Sequence, residues 1–504
     1  MNTKLLRQKI LDLAIRGKLT DQRKSDGSTA DLLKQIVTER VSQNSLIRKK
    51  SIVPKSIIPI NKGDGPFEIP NNWEWVKLGD LSESIQYGYN APAKECGRIK
   101  MVRISDIHDN EVKWESVPFC DIEESEIQTY QLKKDDILFA RTGGTVGKSY
   151  IVNDIPEAAV YAGYLIRTRY SKNINAQFMK FFMESNLYWE QLRDGCIATA
   201  QPNCNGKTLG NMFIPLPPLE EQQRIVAKIE EAFAEIDAIE KNKELLKTHI
   251  KQTRQKILDL AIHGKLVPQD ENDEPASILL EKILQEKAQS DNKKSPKRKK
   301  TDDIATSDNR PYKKNSSLSV EDAPFDIPNS WEWVKIGDVC DKLIDGDHNP
   351  PKGISEKTDY LMLSSRNINN DTLVDLENAR YLTKELFEEE NKRTELKKGD
   401  ILFTSVGSLG RSCIYSGNGN FCFQRSVSVI HTLIENRYLK YFFDSNYYQQ
   451  VILENATGTA QLGFYLEQMR NSCIAIPPLA EQKRIASKVE SLFSVLDAME
   501  KDCD

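Results

Sequence analysis

Three short stretches of the sequence approach known cofactor-binding or catalytic motifs. The first, T-G-G-T-V-G-K-S at 142–149, nearly matches the P-loop pattern G-x-x-x-x-G-K-[S/T], which binds nucleotide phosphates. Its first position is Thr142 in place of glycine, and residues 150–152 favour a strand. A P-loop requires a helix there, because the helix points its amides at the phosphate. The stretch therefore predicts a turn that could face a polyanion, and it argues against ATP binding.

The other two stretches are weaker still. N-P-P-K at 349–352 is similar to the N-P-P-aromatic motif of amino-methyltransferases, but Lys352 cannot stack on a flipped base as the aromatic ring does. Glu111-Val112-Lys113 has the E-x-K spacing of many nucleases, and such triplets are common by chance. No metal-ligand spacing connects the histidines His108, His249, His263, His348 and His431. We therefore predict no catalytic residues and no metal site.

Composition narrows the class of protein. The chain has 504 residues, of which 39% are hydrophobic and 29% charged, as in folded globular domains. No run approaches 18 apolar residues, and the N-terminus has no apolar signal core. The 9 cysteines form no C-x-x-C pair, which favours reduced thiols and a cytoplasmic location. The net charge of −4 neither indicates nor excludes nucleic-acid binding.

The chain contains an internal duplication. Residues 7–19 recur at 254–266 with 12 of 13 positions identical. Further blocks pair 66–80 with 324–338, 132–139 with 396–403, 199–201 with 459–461 and 217–225 with 477–485. The residues between these blocks differ strongly, so a shared frame carries two different sets of loops.

The order of the blocks is circular. Residues 219–264 hold one continuous element, whereas its second copy is split between the C-terminus, 479–501, and the N-terminus, 3–17. The chain therefore begins and ends inside a repeated element. Bringing its termini together would give two equal halves related by a pseudo-twofold axis.

Long helices are predicted for the repeated element. From Ile225 to Leu260, steps of four and three meet an apolar residue at 9 of 11 positions. Prolines at 217 and 218 mark the start and Gly264 the end, and about 45 residues give a rod of roughly 65–70 Å. The same seam occurs at 485–499 and 6–13, so we expect two antiparallel arms packed along it, with every seam residue in a core.

The remaining segments form two modules and their connectors. Short β-rich runs at 137–140 and 401–404, Gly-rich turns, and aromatic helical patches at 179–188 and 439–448 predict α/β (α+β) modules. Each connector should begin with a short helix and continue as a linker, and the second linker contains a basic run at 293–300. The predicted divisions are the N-terminal arm 1–20, connector 21–65, module 1 at 66–217, central helix 218–265, connector 266–323, module 2 at 324–477 and the C-terminal helix 478–504.

With this circular order, the chain resembles the specificity subunit of type I restriction–modification systems. The similarity rests on P-P-L-x-E-Q-x-R-I at 217–225 and 477–485, each copy of which is preceded by T-A-Q at 199–201 or 459–461. W-E-W-V-K-x-G-D at 73–80 and 331–338 and G-K-L at 17–19 and 264–266 add to it. It covers nearly the whole chain. Two copies in the right circular order are strong evidence.

The resemblance implies a non-catalytic DNA-reading scaffold. Each module would be a target recognition domain that reads one half of a split DNA sequence, and the helical arms would set the gap. The arms would also bind two modification subunits, which hold S-adenosylmethionine and methylate adenine. Two restriction subunits, when present, would add ATP- and Mg-dependent translocation and cleavage. No cofactor is expected in this chain, and no membrane.

Candidate DNA-contacting residues lie where the two modules correspond in position but differ in type, on loops that could reach base edges and phosphates. In module 1 they are Tyr87, Tyr89, Asn90, Arg103, Ser105, Arg141, Thr142, Lys148, Gln201, Asn203 and Lys207. In module 2 they are Asp345, His348, Ser365, Arg366, Asn367, Ser405, Arg411, Gln424, Arg425 and Gln461. Module 1 has a net charge of −4 and module 2 of −5, so these loops must concentrate the positive charge.

Candidate partner-binding residues lie just inside the repeated helix starts: Glu221, Gln222, Arg224, Glu481, Gln482 and Arg484. Glutamate there can also simply favour a helix N-terminus. Two other readings of the chain remain: a coiled-coil scaffold that recruits proteins without reading DNA, and a self-sufficient nuclease or methyltransferase. Salt-dependent, sequence-selective DNA binding would distinguish DNA recognition from the protein-recruiting scaffold. Catalytic activity of the pure chain would support the nuclease or methyltransferase.

Overall fold

The computed structural model describes residues 2–46, 56–108, 110–195, 203–293, 323–458 and 461–503. The chain divides into two units, residues 1–242 and 243–504, and the boundary falls within one long helix. Of the predicted linkers, residues 47–55 and 294–322 lie outside the described residues, and most of the basic run at 293–300 lies there too.

The helices alternate with strands through both modules. They are α1 (Thr3–Ile15), α2 (Thr29–Leu46), α3 (Leu78–Leu81), α4 (Glu124–Tyr130), α5 (Ala176–Phe182), α6 (Asn186–Gly195), α7 (Gly206–Gly210), α8 (Leu219–Ile262), α9 (Ala276–Lys293), α10 (Lys384–Thr394), α11 (Asn436–Asp444), α12 (Asn446–Asn455), α13 (Leu466–Asn471) and α14 (Leu479–Cys503).

The strands are short. In module 1 they are β1 (Glu74–Lys77), β2 (Ser82–Tyr87), β3 (Ile99–Val102), β4 (Ile107–His108), β5 (Glu111–Val112), β6 (Phe119–Cys120), β7 (Ile137–Ala140), β8 (Ser149–Ile151), β9 (Ala159–Tyr161), β10 (Leu165–Tyr170) and β11 (Phe213–Leu216). In module 2 they are β12 (Glu332–Lys335), β13 (Cys340–Asp345), β14 (Tyr360–Leu363), β15 (Ile368–Asn369), β16 (Thr372–Leu373), β17 (Arg380–Tyr381), β18 (Ile401–Thr404), β19 (Ser412–Ile414), β20 (Asn420–Phe423), β21 (Val427–Thr432) and β22 (Cys473–Ile476).

The two modules share one topology. Each has a main antiparallel sheet, β2-β10-β7-β8 in module 1 and β13-β21-β18-β19 in module 2. Each also has a second sheet, β6-β3-β9 or β17-β14-β20, that includes one parallel pair. A two-stranded ribbon joins each module's ends, β1 with β11 and β12 with β22. This mixed architecture confirms the predicted α/β (α+β) class and the duplication.

The predicted β-rich runs are the centres of the main sheets. Ile137 and Phe139 of β7 face a core shared with α5 and α6, whereas Leu138 and Ala140 face a second core shared with Tyr161 of β9. Successive side chains of a strand point to opposite faces, so a strand with both faces covered must be apolar throughout. This explains the unbroken apolar run I-L-F in both modules.

Helix α8 spans 44 residues, about 66 Å at 1.5 Å per residue, as the apolar seam predicts. Its end has the same construction as the end of α1. Gly264 has a φ of +67° and Gly17 of +66°, and the next residue of each donates to the carbonyl of Leu260 or Leu13 at 2.8 Å. A left-handed C-terminal cap of this kind favours glycine. A Cβ on Gly264 would also lie 2.4 Å from Pro328.

Within each unit two helices run antiparallel, as predicted. In the first unit Arg7 of α1 binds Asp237 and Glu240 of α8 at 2.5 and 3.1 Å, and lies over the ring of Phe233. In the second unit Arg254 binds Asp497 and Glu500 of α14 and lies over Phe493. Arg224 near the start of α8 binds Asp26 beyond the end of α1, and Arg484 near the start of α14 binds Asp273 beyond the end of α8. This reverse order of pairs establishes the antiparallel direction.

Three expectations require correction. The seam is buried at Ile225, Ile229, Ile236, Ile250 and Ile257, but Ile239 and Leu246 are each 38% exposed, so not every seam residue lies in a core. Each aromatic patch forms two helices, because the turns at 183–185 and 445 break it. The connector helices α2 and α9 have 18 residues each, longer than predicted. The first connector also ends in order, since Ile60 pairs with Trp75 of β1.

Candidate nucleic-acid interface

Four strand ends of the main sheet of module 1 meet at one edge. Because neighbouring strands are antiparallel, the end of β2 and the end of β7 lie beside the starts of β10 and β8. This places Tyr87, Tyr164, Arg141 and Lys148 together. The second sheet adds residues 103–106, since Ala162 donates to Val102 at the end of β3. Residues 203–207 join through a bridge between Asn203 and Thr142.

We call this set the loop surface of module 1: residues 87–90, 103–106, 141–148, 162–164 and 203–207. It carries four basic residues and one acidic residue, a net charge of +3 in a module whose net charge is −4. The expected local concentration of positive charge is therefore present. Gln201 lies outside the described residues. The other module 1 candidates all belong to the loop surface.

Arg141 and Tyr87 form a stacked pair at its centre. The guanidinium carbon of Arg141 lies 4.7 Å from the centroid of the Tyr87 ring. The Tyr87 hydroxyl accepts a hydrogen bond of 2.9 Å from the amide of Gly206, which fixes the ring. The Nε of Arg141 is buried and has no partner among the described residues.

Arg103 differs from Arg141 because its guanidinium is occupied. Its Nε and Nη2 donate to the carboxylate of Asp106 at 3.1 and 2.7 Å, and its amide donates to the same group at 2.8 Å. Asp106 is only 4% exposed, so this pair holds the turn after β3. Ser105 is exposed in that turn.

The remaining candidates of module 1 fall into two groups. Tyr89 packs its ring against Tyr130, with centroids 5.2 Å apart, and its backbone forms a bridge with Ala162. Its ring is therefore engaged in packing within module 1. Thr142 is half-buried. The exposed candidates are Asn90, Lys148, Asn203 and Lys207.

Module 2 has an equivalent loop surface: residues 345–348, 364–367, 405–411, 424–426 and 461–463. The bridge between Val406 and Gly463 corresponds to that between Thr142 and Asn203. The sheet registers make Ser405 the equivalent of Arg141, in agreement with the pairing of blocks 132–139 and 396–403. Arg366, Arg411, Arg425, His348 and Gln461 are exposed, and Gln424 is half-buried.

Hydrogen bonds replace the stacked pair in module 2. The Ser428 hydroxyl donates to the Asp345 carboxylate at 2.6 Å, and the hydroxyls of Ser405 and Ser428 are hydrogen-bonded to each other. Burial raises the pKa of Asp345. Ser405 is 1% exposed, which corrects its prediction as a DNA contact, and Asp345 is engaged below the surface.

Asn367 also requires correction. It is 5% exposed and its side chain holds the turn after β14. Its Oδ1 accepts from the amide of Ser364 at 3.0 Å, and its Nδ2 donates to the carbonyls of Val374 and Asp375 at 3.3 and 3.2 Å. No donor of this amide remains for a base edge. Ser365 is half-buried beside it, and its amide donates to Ser426 at 3.1 Å.

Two loop-surface residues escaped the sequence analysis. Tyr164 is 65% exposed, and its carbonyl accepts from the amide of Arg141 at 3.2 Å. Ser426 occupies the same place in module 2. Both lie in the connection between β9 and β10 or β20 and β21. A tyrosine that follows glycine between two apolar runs could have signalled an exposed aromatic residue in the first case.

The predicted partner-binding residues are instead a buried joint between module and helix. Glu221, Gln222, Glu481 and Gln482 are 0% exposed. Glu221 accepts from the indole nitrogen of Trp73 at 2.8 Å and from Gln22 at 2.5 Å. Glu481 accepts from Trp331 at 2.9 Å and from Gln269 at 2.5 Å. Burial raises the pKa of both glutamates.

The neighbouring side chains complete the joint. Gln222 donates to the carbonyl of Pro217 and accepts from the amide of Asn175, both at 2.9 Å, and Gln482 does the same with Pro477 and Glu435. Arg224 and Arg484 bind Asp26 and Asp273, so they too are engaged within the chain. The joint explains the repeats, because three separate sequence blocks meet in it. Burial contradicts the prediction of Glu221, Gln222, Glu481 and Gln482 as partner contacts. Arg224 and Arg484 remain partly exposed, and their prediction stays a prediction.

The motif-like stretches have structural roles. Residues 142–149 form a short turn that leads into β8, so the predicted strand replaces the helix of a P-loop. The carbonyl of Pro351 accepts from Arg380 at 2.6 Å. Among the described residues no group of three or more histidine, cysteine, aspartate or glutamate side chains could hold a metal ion. None of the described helices is long and apolar enough to span a membrane.

Comparison with known proteins gives the family. A model of the type I restriction modification DNA specificity domain matches residues 70–248 and 328–502. The type I restriction enzyme EcoEI specificity subunit of Escherichia coli is 26% identical, over 98% of this chain and 90% of its own. The EcoKI specificity subunit of Escherichia coli K12 is 30% identical over 40% of this chain and 46% of its own.

Solved structures show the same fold. The HsdS subunit of Thermoanaerobacter tengcongensis aligns with a TM-score of 0.52 at 17% identity, covering 87% of this chain and 93% of that one. A chain from a study of assembly and conformational transition of the type I restriction–modification system aligns with a TM-score of 0.54 at 18% identity, over 87% and 94%. With both halves matched to the family model, this chain belongs to the type I restriction–modification specificity subunits.

Proposed function

We propose that the chain is the DNA-recognition subunit of a type I restriction–modification complex. Residues 66–217 and 324–477 would each be a target recognition domain that reads one half of a bipartite, asymmetric DNA site. The observation that carries this proposal is the pair of loop surfaces: one frame, repeated, presents different residues at the same sheet edge. A shared frame with different readers suits two different half-sites.

The helices would supply the scaffold. Residues 218–265, together with 1–20 and 478–504, would set the spacer between the half-sites and bind two modification subunits by equivalent surfaces. S-adenosylmethionine would be held by those subunits, and ATP and Mg by two restriction subunits where the full complex assembles. The chain itself would catalyse no step. It would act in the cytoplasm, where the host DNA lies.

A revised partner surface replaces the buried joint. Leu245 and Leu246 of α8 are 51% and 38% exposed, and Val495 and Met499 of α14 are 53% and 49% exposed. Exposed apolar side chains of this size on long helices are typical of protein contacts. We therefore propose these four residues of the second unit as contacts to a modification subunit.

Mapping methyladenine at single-base resolution tests the function. The chain would be expressed with its modification subunit, and the methylated sites compared with those of cells that lack the chain. We expect a split motif that appears only when the chain is present. No new motif, with the complex shown to be assembled, would instead favour a scaffold that recruits proteins without reading DNA.

A further inference from the structure

Arg141 has a guanidinium that is positioned but not used. Stacking on Tyr87 orients its plane, at 4.7 Å from the ring centroid, and its buried Nε has no partner among the described residues. Burying a guanidinium nitrogen without an acceptor is unfavourable. The arrangement is therefore typical of a group that finds its acceptors in a ligand.

No carboxylate pairs with Arg141 among the described residues. Asp106 is the one acidic residue of the module 1 loop surface, and it is engaged by Arg103 through two guanidinium nitrogens. Lys148 and Lys207, by contrast, are exposed lysines that stack on no aromatic ring among the described residues. Arg141 is thus the basic residue of this surface that combines a fixed plane with free donors.

A fixed guanidinium fork matches one base edge in particular. Guanine presents two acceptors, O6 and N7, to the major groove, and bidentate arginine is the commonest specific contact to it. A phosphate can accept hydrogen bonds from the same fork. Lysine, acting as a point charge, binds a phosphate nearly as well as arginine does. Stacking on an aromatic ring leaves the charge of the guanidinium unchanged but fixes the orientation of its plane. A fixed plane matters for a base edge more than for a phosphate, so the stacking favours a base.

Resting on the proposed function, we infer that Arg141, oriented by Tyr87, reads a guanine in the half-site of module 1. Module 2 cannot make this contact at the equivalent place. Asp345, Ser405 and Ser428 occupy it and hydrogen-bond to one another. The two half-sites therefore differ at the position that this part of the frame reads.

The test uses the full chain assembled with its modification subunits and a DNA pool randomised at every position of both half-sites. Methylated products are sequenced for the wild type and for Arg141→Lys, Arg141→Ala, Tyr87→Leu and Lys148→Ala. We expect the wild type to require G·C at one position, and Arg141→Ala to lose roughly 5- to 150-fold of that preference. Arg141→Lys should lose less, because lysine can also donate to guanine O6 and N7 but lacks the fixed fork. Tyr87→Leu should weaken it, and the other half-site should stay unchanged.

Lys148→Ala is the matched control, because loss of a phosphate contact lowers methylation of all sequences alike. Retention of the G·C requirement by Arg141→Ala would assign Arg141 to a phosphate and overturn the inference. Equal loss at both half-sites, with a lowered melting temperature, would show a folding role and overturn it as well. Absence of any wild-type motif would instead refute the proposed function, so the two failures are distinguishable.

Discussion

Arg103 and Arg141 look alike in the sequence, yet their environments differ. Each follows a β-strand of module 1, and each was an equal candidate for DNA contact. The carboxylate of Asp106, three residues away, occupies Arg103, whereas the ring of Tyr87, fifty-four positions away, orients Arg141. A local pattern could have revealed the first partner, because a capping turn is a short-range feature. The second partner depends on strand pairing.

Buried ion pairs give residue-scale predictions of another kind. Lys440 of α11 is 2% exposed and binds both Asp444 and Asp371. Asp444 also accepts from the hydroxyl of Ser412 at 3.0 Å. Burial, opposed by Lys440, raises the pKa of Asp444 to about 6. The folded chain therefore holds this proton more tightly than the unfolded chain, whose aspartates titrate near 3.9.

We predict that Asp444→Asn changes the pH dependence of stability. Because the folded pKa is raised, the contribution of this group is fully present below about pH 4 and is lost as the pH rises through about 6. The variant should therefore gain stability relative to the wild type across that window. Urea unfolding at pH 4 to 7 measures it. Glu467→Gln, at the surface, is the control, and parallel curves for wild type and Asp444→Asn would contradict the prediction.

At the scale of elements, the joint explains which sequence blocks repeat. The W-E-W-V-K block and the P-P-L-x-E-Q helix start are far apart in the chain, and they meet at Glu221 in one unit and Glu481 in the other. Gln22 and Gln269, just after the G-K-L helix ends, donate to the same glutamates and to the carbonyls of Gly17 and Gly264. A buried carboxylate is costly unless donors satisfy it, which gives a physical reason for the repetition of these blocks.

Trp73→Phe should destabilise the first unit. The substitution keeps the ring but removes the indole donor, and leaves a buried carboxyl oxygen of Glu221 unsatisfied at a cost of about 1–3 kcal/mol. Trp331→Phe should do the same in the second unit through Glu481. Denaturant unfolding measures both, and Trp114→Phe, at a half-buried tryptophan of module 1, is the matched control. Equal stability of Trp73→Phe and Trp114→Phe would exclude the joint as a source of stability.

The exposed apolar residues of α8 give a second prediction at this scale. Leu245→Glu should abolish co-purification of a modification subunit, because a buried charge in an interface is costly. The melting temperature of the free chain should stay unchanged, since Leu245 is 51% exposed. Leu284→Glu on α9, also at a residue 51% exposed, is the control and should leave co-purification intact. Retained binding by Leu245→Glu would place the partner contact elsewhere.

At the scale of the whole molecule, α8 is the element that belongs to both units. Its residues pack into the core of the first unit near Ile225 and of the second unit near Ile257. If α8 connects the two reading modules in the assembled complex as proposed, its length would be a determinant of the DNA spacing. A helix gains about 1.5 Å for each residue, whereas DNA rises about 3.4 Å for each base pair.

Duplicating residues 236–242 should therefore lengthen the spacer by about three base pairs and leave both half-sites unchanged. Seven residues add about 10.5 Å and keep the helix nearly in phase. Methyladenine mapping of the host genome reads the spacer directly. The same seven residues inserted after Ser307, in the segment predicted as a linker, should leave the spacer as it was. An unchanged spacer in the α8 variant would refute the role of α8 as a ruler.

The sequence by itself determined the frame of this protein. Periodicity placed α8, both β-rich runs and the glycine helix ends, because these features depend on neighbours within a few residues or on burial on both faces. The duplication and the resemblance to the family followed from repeated sequence blocks, which are recognised without knowledge of the fold. The loops predicted from the sequence lie together in each module, because the ends of neighbouring antiparallel strands meet at the same edge of a sheet.

Only the tertiary structure decided what each of those residues does. It buried Glu221 and Glu481 in a joint, enclosed Asn367 and Ser405, left Ile239 and Leu246 of α8 partly exposed, and brought Tyr87 under Arg141. Burial and side-chain pairing arise between segments that are distant in sequence. A charged residue inside a helix start looks the same whether the next element covers it or leaves it to solvent, and so composition and spacing could not distinguish the two.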